Sequence, residues 1–287
     1  MERLCSAGTS ARAAMRERRR GQMDKMIITA TTANSWIHPE LKNWAETSDA
    51  LVDDAVFCAE AGAAILHIHL PRGNEAVEIV SRVRARTDAI VQAGMSSFPV
   101  EERLSDFESK PDMISCILNH HDEHFPEEHV DRIHDLREFE EYCRMFAEYG
   151  VKPEWEVWHT GSYWNLRYMV DKGWLTGPHV LTMFFGWPGG TWSPPTPDSY
   201  FYRTRHMPPD CLHTVSVMGS EQTTIAALAI AGGGNVRVGT EDLPFVEHGI
   251  PAKNNAELVE MMAWFSRKMG REIAAPGEAR KILGLVK

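Results

Sequence analysis

From Met26 onward, short apolar runs alternate with longer segments of helical period, and the cycle repeats eight times. The first strand is Met26 to Thr31. Ser48 then caps a helix through Ala61 whose Leu51, Ala55, Val56 and Ala59 share a face, and Gly62 closes it. Ala63 to Leu70 is the second strand, Ala89 to Ala93 the third and Asp112 to Ile117 the fourth. Trp155 to Trp158, His179 to Phe184, Leu212 to Val217 and Asn235 to Val238 complete the set. Between them lie helices opened by Asn74, near Val100 to Phe107, from Leu136 to Tyr149, from Tyr163 to Lys172, around Asp198 to Arg205, and from Ser220 to Ala231. Asn254 caps a final helix with Leu258, Met262, Phe265 and Met269 in one stripe. The acidic, His-rich stretch after Ile117 reads as a loop.

Strict alternation of this kind demands a parallel sheet, because parallel neighbours need a crossover between them. Eight units over roughly 250 residues match an α/β chain folded as a single-domain (β/α)8 TIM barrel, here residues 26–287. The alternative is a doubly wound open sheet. It would carry a glycine-rich nucleotide fingerprint after strand one, and Ala30-Thr31-Thr32-Ala33-Asn34 has no glycine. The barrel is the better reading.

Residues 1–25 stand apart. Ser10 to Arg20 is rich in Ala and Arg, Met15, Met23 and Met26 offer later starts, and no secretory apolar core is present. A disordered or mis-started extension is expected there. A net charge of −10 with no basic stripe argues against nucleic-acid binding. No apolar run approaches the roughly 18 residues of a membrane span. Five scattered cysteines without CxxC spacing read as reduced thiols of a cytoplasmic protein.

His67 and His69 end the second strand and, two residues apart, point to one face. Barrel active sites lie at the C-terminal ends of the strands. Arg237-Val238-Gly239-Thr240-Glu241-Asp242 ends strand eight, which flanks strand one as strand two does, so Glu241 can meet the two imidazoles. Two histidines and a glutamate with an open position suit catalytic zinc, and the same set can hold iron(II) or manganese. Taken alone, the histidines also read as a hydrogen-bonded pair, and Glu241-Asp242 as solvated acids.

The frame Glu60 to His69, Pro153-Glu154-Trp155-Glu156-Val157, Trp187-Pro188-Gly189-Gly190 and Gly233 to Asp242 resembles the β-keto acid cleavage enzymes. So does the tail, through Asn254 to Val259, Gly270-Arg271-Glu272 and Ala279 to Leu283. The resemblance spans Met26 to Leu285 and implies a zinc-holding barrel, assembled as a homo-tetramer, that cleaves a β-keto acid with acetyl-CoA. It also implies His67, His69 and Glu241 as ligands, with Arg237 and Asp242 as a catalytic pair that orients and deprotonates the substrate. The departures fall at the substrate end. The family's Thr-Gly-Ala-Glu after strand one is Thr32-Ala33-Asn34-Ser35-Trp36 here, its Ser-Thr-Gly-Gly is Ala93-Gly94-Met95-Ser96-Ser97, and its Gly-Arg-Trp turn is Gly219-Ser220-Glu221-Gln222. A substrate other than the founding enzyme's is expected.

Further candidates come from position at strand ends. Glu156 is expected to face inward, either bonding a metal-bound group or filling a layer against Arg237. Asn34 and Trp36, Asn119 and His120, His159, and Trp187, Gly189 and Gly190 are expected substrate contacts. Trp36, Trp158, Trp187 and Trp192 suggest an aromatic wall suited to a flat or cationic substrate. His120, His121 and His124 read as a solvated loop or as ligands and a proton shuttle, with His120 nearest the strand end. Three functions follow: metal-dependent β-keto acid cleavage with acetyl-CoA; hydrolysis or decarboxylation at the same metal without CoA; and a non-catalytic barrel that binds a small molecule.

Overall fold

Each strand alternates one side chain toward the barrel axis with one toward the helices, so every inward row must fill a layer of the interior. The computed structural model describes residues 24–32, 38–41, 45–124, 129–187 and 193–285. The expected extension over residues 1–25 therefore lies almost wholly outside the described residues. β1 (Ile28–Thr31), β2 (Ile65–Ile68), β3 (Ile90–Ala93) and β4 (Met113–Ile117) come first. A hairpin, β5 (His120–His124) and β6 (His129–Ile133), follows, and then β7 (Lys152–Val157), β8 (His179–Phe185), β9 (Cys211–Val217) and β10 (Asn235–Gly239). All but β5 and β6 pair in parallel and close a barrel in the order β1-β10-β9-β8-β7-β4-β3-β2. The barrel reading holds.

The crossover helices are α1 (Ser48–Ala61), α2 (Asn74–Arg84), α3 (Leu104–Glu108), α4 (Leu136–Tyr149), α5 (Ser162–Asp171), α6 (Pro197–His206), α7 (Gln222–Ala231) and α8 (Asn255–Lys268). Thr47, one residue before the expected cap, accepts from the Ala50 amide, while Asn254 caps α8 by accepting from Glu257. A helix beyond the expected last one, α9 (Pro276–Leu283), sets Ala279 and Leu283 against Ile27, Ile65, Ile90, Met113 and Val180. It stoppers the N-terminal end of the barrel. None of the described helices is long and apolar enough to cross a membrane.

The inward rows grade from apolar at that floor to polar at the mouth. Met113 gives way to Ser115, Val180 to Thr182, and Leu212 to Thr214 and Ser216, with Glu154 and Glu156 on β7 at the same heights. Among the described residues, the polar groups of the inward rows concentrate toward the C-terminal ends of the strands.

The stretch after Ile117, expected as a loop, is the β5–β6 hairpin. Its residues pair antiparallel from His120 with Ile133 to His124 with His129. Alternation was concealed because its inward residues are His121 and Glu123, which face a polar cavity rather than core.

Candidate active site

β2, β1 and β10 are neighbours in register, with Thr31 paired to His67 on one side and to Gly239 on the other. That pairing delivers His67 from β2, His69 from just past it and Glu241 from just past β10 to one point. Their ligand-capable atoms all lie within 4.8 Å of one another. His67 Nε2 is 3.7 Å from Glu241 Oε2, and His69 Nε2 is 3.4 Å from Glu241 Oε1.

The amide of Gln92 settles which nitrogen of His67 is free. Its Oε1 lies 2.8 Å from His67 Nδ1, and its Nε2 donates to Glu154 Oε2 at 3.4 Å. An amide oxygen only accepts, so Nδ1 carries the proton and the Nε2 lone pair faces Glu241. Burial, with Arg237 nearby, pushes His67 down to about 3 and keeps it neutral. Burial opposes ionisation of Glu241, but Arg237, His69 and His67 outweigh it and hold that carboxyl well below its usual range. A lone pair thus points at a carboxylate, and Glu241 Oε2 is buried with no hydrogen-bond partner. Leaving such an atom unpaired costs on the order of 1–3 kcal/mol. A cation between the three groups resolves both conflicts, so the donor set fits a metal with an open position.

The backbone makes room for it. A Cβ on Gly94 would stand 2.3 Å from His69 Cδ2 and 2.6 Å from His67 Nε2. Any other residue there would collide with both rings. Buried Arg103 fixes this turn by donating to Gly94 O at 2.6 Å and Ser115 O at 2.5 Å.

Arg237 is buried and bridges both acids of its own loop. Its Nη2 lies 2.9 Å from Glu241 Oε1 and 2.9 Å from Asp242 Oδ1, while Nε donates to Asp242 Oδ2 at 3.2 Å. Burial disfavours its charge, but Asp242, Glu241 and Glu156 more than compensate, so it stays a guanidinium. Its head stacks over Phe184 at 5.2 Å and Trp187 at 5.9 Å. Asp242 is pushed up to about 6 by burial, with Arg237 opposing, and Ser216 also hydrogen-bonds it.

A cavity of about 130 Å³ opens over these groups, walled by His67, His69, Arg237 and Glu241 on one side and Glu156, Trp158, Phe184 and Trp187 on the other. The third turn and the hairpin supply the rest: Met95, Ser96, Ser97, Phe98, His121, Glu123 and Val130. Glu156 accepts from Ser96 Oγ at 2.7 Å and Trp158 Nε1 at 3.3 Å, and burial raises it even though Arg237 opposes. Glu154, one layer deeper, is pushed up to about 8 by burial and by Glu156.

The expected contacts divide. Glu156 and Trp187 line the cavity, and Trp187 donates to Ser216 Oγ at 3.2 Å. Asp242 does not line it, because Arg237 occupies both of its oxygens from the cavity side. His120 is turned away by strand alternation and pairs with Asp131 at 2.9 Å, so its neighbour His121 takes the inward place expected of it. Asn119 serves as a bend at φ 88°, its carbonyl accepting from His134 N, and His159 sits half-buried outside the cavity wall. Asn34, Trp36, Gly189 and Gly190 lie outside the described residues, as does Trp192.

Gln92 and Glu123 were not among the expected site residues, and Gly94 and Ser96 entered only as departures at the substrate end. Gln92 had a signal, as the lone polar residue in the run Ala89 to Ala93. His121 and Glu123 hydrogen-bond at 2.7 Å, and His121 Nδ1 is buried without a partner.

Residues 25–285 match the family described as beta-keto acid cleavage enzyme. The chain belongs to that family. It is 33% identical to a 3-keto-5-aminohexanoate cleavage enzyme of Acetoanaerobium sticklandii, over 92% of this chain and all of that one. It is 26% identical to a 3-dehydrocarnitine:acetyl-CoA trimethylamine transferase of Rhizobium meliloti, over 84% of this chain and 90% of that one. Among solved structures it resembles a binary complex of ObcA with oxaloacetate, with TM-score 0.67 and 16% identity, covering 84% of this chain and 67% of the other. That likeness shows the barrel fold. The family assignment makes this a β-keto acid cleavage enzyme.

Proposed function

We propose that this chain is a metal-dependent acyltransferase that splits the carbon–carbon bond of a β-keto acid with acetyl-CoA as co-substrate, on a substrate different from that of the founding enzyme. The observation that carries the metal is the orphaned Oε2 of Glu241 facing the lone pair of His67. His67, His69 and Glu241 would hold the ion, with zinc the best match to two imidazoles and a carboxylate. Such an ion, when bound, supplies Lewis-acid polarisation of a carbonyl.

The chain's own groups do the rest. Arg237, permanently charged in the cavity wall, binds and orients the acid's carboxylate. Asp242 grips the guanidinium from behind and fixes its direction. Glu156 lines the cavity opposite the ligand set, as Asp242 does not. Its raised affinity for protons, with Ser96 and Trp158 donating to it, suits it to take up or return a proton during cleavage. Trp158, Phe184 and Trp187 exclude water from the fragment being transferred. A groove of about 450 Å³, sharing His69, Met95 and Phe98 with the cavity and edged by Arg72, offers room for the thioester arm. The acetyl-CoA named for the Rhizobium meliloti relative supports acetyl-CoA as the co-substrate.

The test is turnover of a panel of β-keto acids with and without acetyl-CoA, followed by mass spectrometry of the thioesters. Formation of a new acyl-CoA in step with loss of the keto acid is expected. Turnover indifferent to the thioester would instead favour hydrolysis or decarboxylation.

A further inference from the structure

The hairpin has two faces, and only one is used by the cavity. Its inward residues, His121, Glu123 and Val130, wall the active site. Its outward row places Asp122 and His124 two apart on β5, with His129 directly opposite His124 on β6. Strand geometry puts three metal-ligating side chains on one patch. Asp122 Oδ1 lies 2.6 Å from His124 Nε2, and the rings of His124 and His129 meet edge to face at 4.1 Å between centroids. Ligand atoms of all three fall within 4.8 Å of one another.

A second observation points the same way. Asp122 is paired in register with Asp131, so two carboxylates oppose each other across the hairpin. Like charges in that position destabilise a β pair. His120 attends Asp131 at 2.9 Å, while Asp122 is shared with the His124 and His129 patch.

We propose that Asp122, His124 and His129 form a second, structural metal site that takes a divalent transition ion such as zinc and fastens the hairpin over the active-site cavity. Two imidazoles and one carboxylate select such an ion over magnesium or calcium, which prefer all-oxygen sets. The exposure of both imidazoles makes the site weaker than the buried one and open to exchange. Bound there, the ion ties β5 to β6 at the far end of the hairpin and so steadies His121 and Glu123 on the opposite face. The inference is independent of which substrate the cavity takes.

The test is metal counting on the full chain equilibrated with zinc, beside hydrogen exchange of residues 120–133. The wild-type chain is expected to hold two zinc ions, the doubly substituted His124→Ala/His129→Ala chain one, and the His67→Ala/His69→Ala chain one. Asp122→Asn, a milder change, is expected to weaken only the second site. Zinc at a hundred times its dissociation constant slows exchange in the hairpin by up to about a hundredfold, and only where His124 and His129 are present. A single ion in the wild type, two ions retained without His124 and His129, or exchange that ignores zinc would each overturn the proposal.

Discussion

His67 and Glu241 face each other with Nε2 and Oε2 3.7 Å apart, a lone pair against a carboxylate oxygen that has no hydrogen-bond partner. The contact is not an ion pair, because burial keeps His67 neutral down to about pH 3. Two acceptors held this way repel, and the buried Gln92 and Arg237 prevent either from turning aside. The arrangement makes sense around a cation.

Gln92 orients His67 without touching the ion. Gln92→Leu is expected to lower metal affinity by roughly tenfold to a hundredfold, the range for partners that orient a ligand. The fold should persist, since the replacement suits a strand interior. Metal competition with a chelator, alongside circular dichroism, checks both parts.

Gly94→Ala places a methyl group where both imidazoles now stand. Overpacking of this sort costs about 1–3 kcal/mol. Relief requires the rings to swing out, so activity and metal content should fall together while Ala93→Gly, one residue earlier, leaves metal content intact. Metal analysis of the two purified variants separates them.

His121→Ala removes the partner of Glu123 from the cavity wall and leaves the ligands alone. A buried carboxylate stripped of its partner costs about 1–3 kcal/mol, equivalent to roughly tenfold to a hundredfold in an equilibrium constant. The expected signature is a raised KM with unchanged metal stoichiometry, read from steady-state kinetics. A loss of metal instead would place His121 among the ligands.

Far from the mouth, His213 on β9 is buried against the hydroxyl of Tyr200 at 3.1 Å, and burial with Arg271 nearby lowers it to about 4. A histidine that binds protons less readily when folded stabilises the native state fully above its unfolded value of about 6.5. That contribution drains as pH falls toward 4 and amounts to on the order of 3 kcal/mol. His213→Gln should therefore flatten the decline in urea midpoint between pH 6.5 and 4.

Much of this was legible in the chain because barrel strands obey simple rules. The run Ile65 to Ile68 declares itself by apolarity, and period-two alternation then aims His67 inward. Glu241 was reachable because strand eight must neighbour strand one. The hairpin was not legible, since His120 to His124 lacks apolar alternation and strong β-formers, and its inward face meets a polar cavity rather than core. Helix α9 escaped because its packing partners are strand starts scattered from Ile27 to Val180. Gly94 showed in the sequence only as part of a departure at the substrate end. Its importance lies in what its missing side chain would strike, which only the assembled site reveals.

The most direct measurement is anomalous diffraction at a metal edge from crystals soaked with a β-keto acid. The expected result is a strong peak bounded by His67 Nε2, His69 Nε2 and Glu241, with the substrate in the cavity beside it and its carboxylate against Arg237. Substrate bound in the cavity with no anomalous peak among those three residues would contradict the metal-dependent reading.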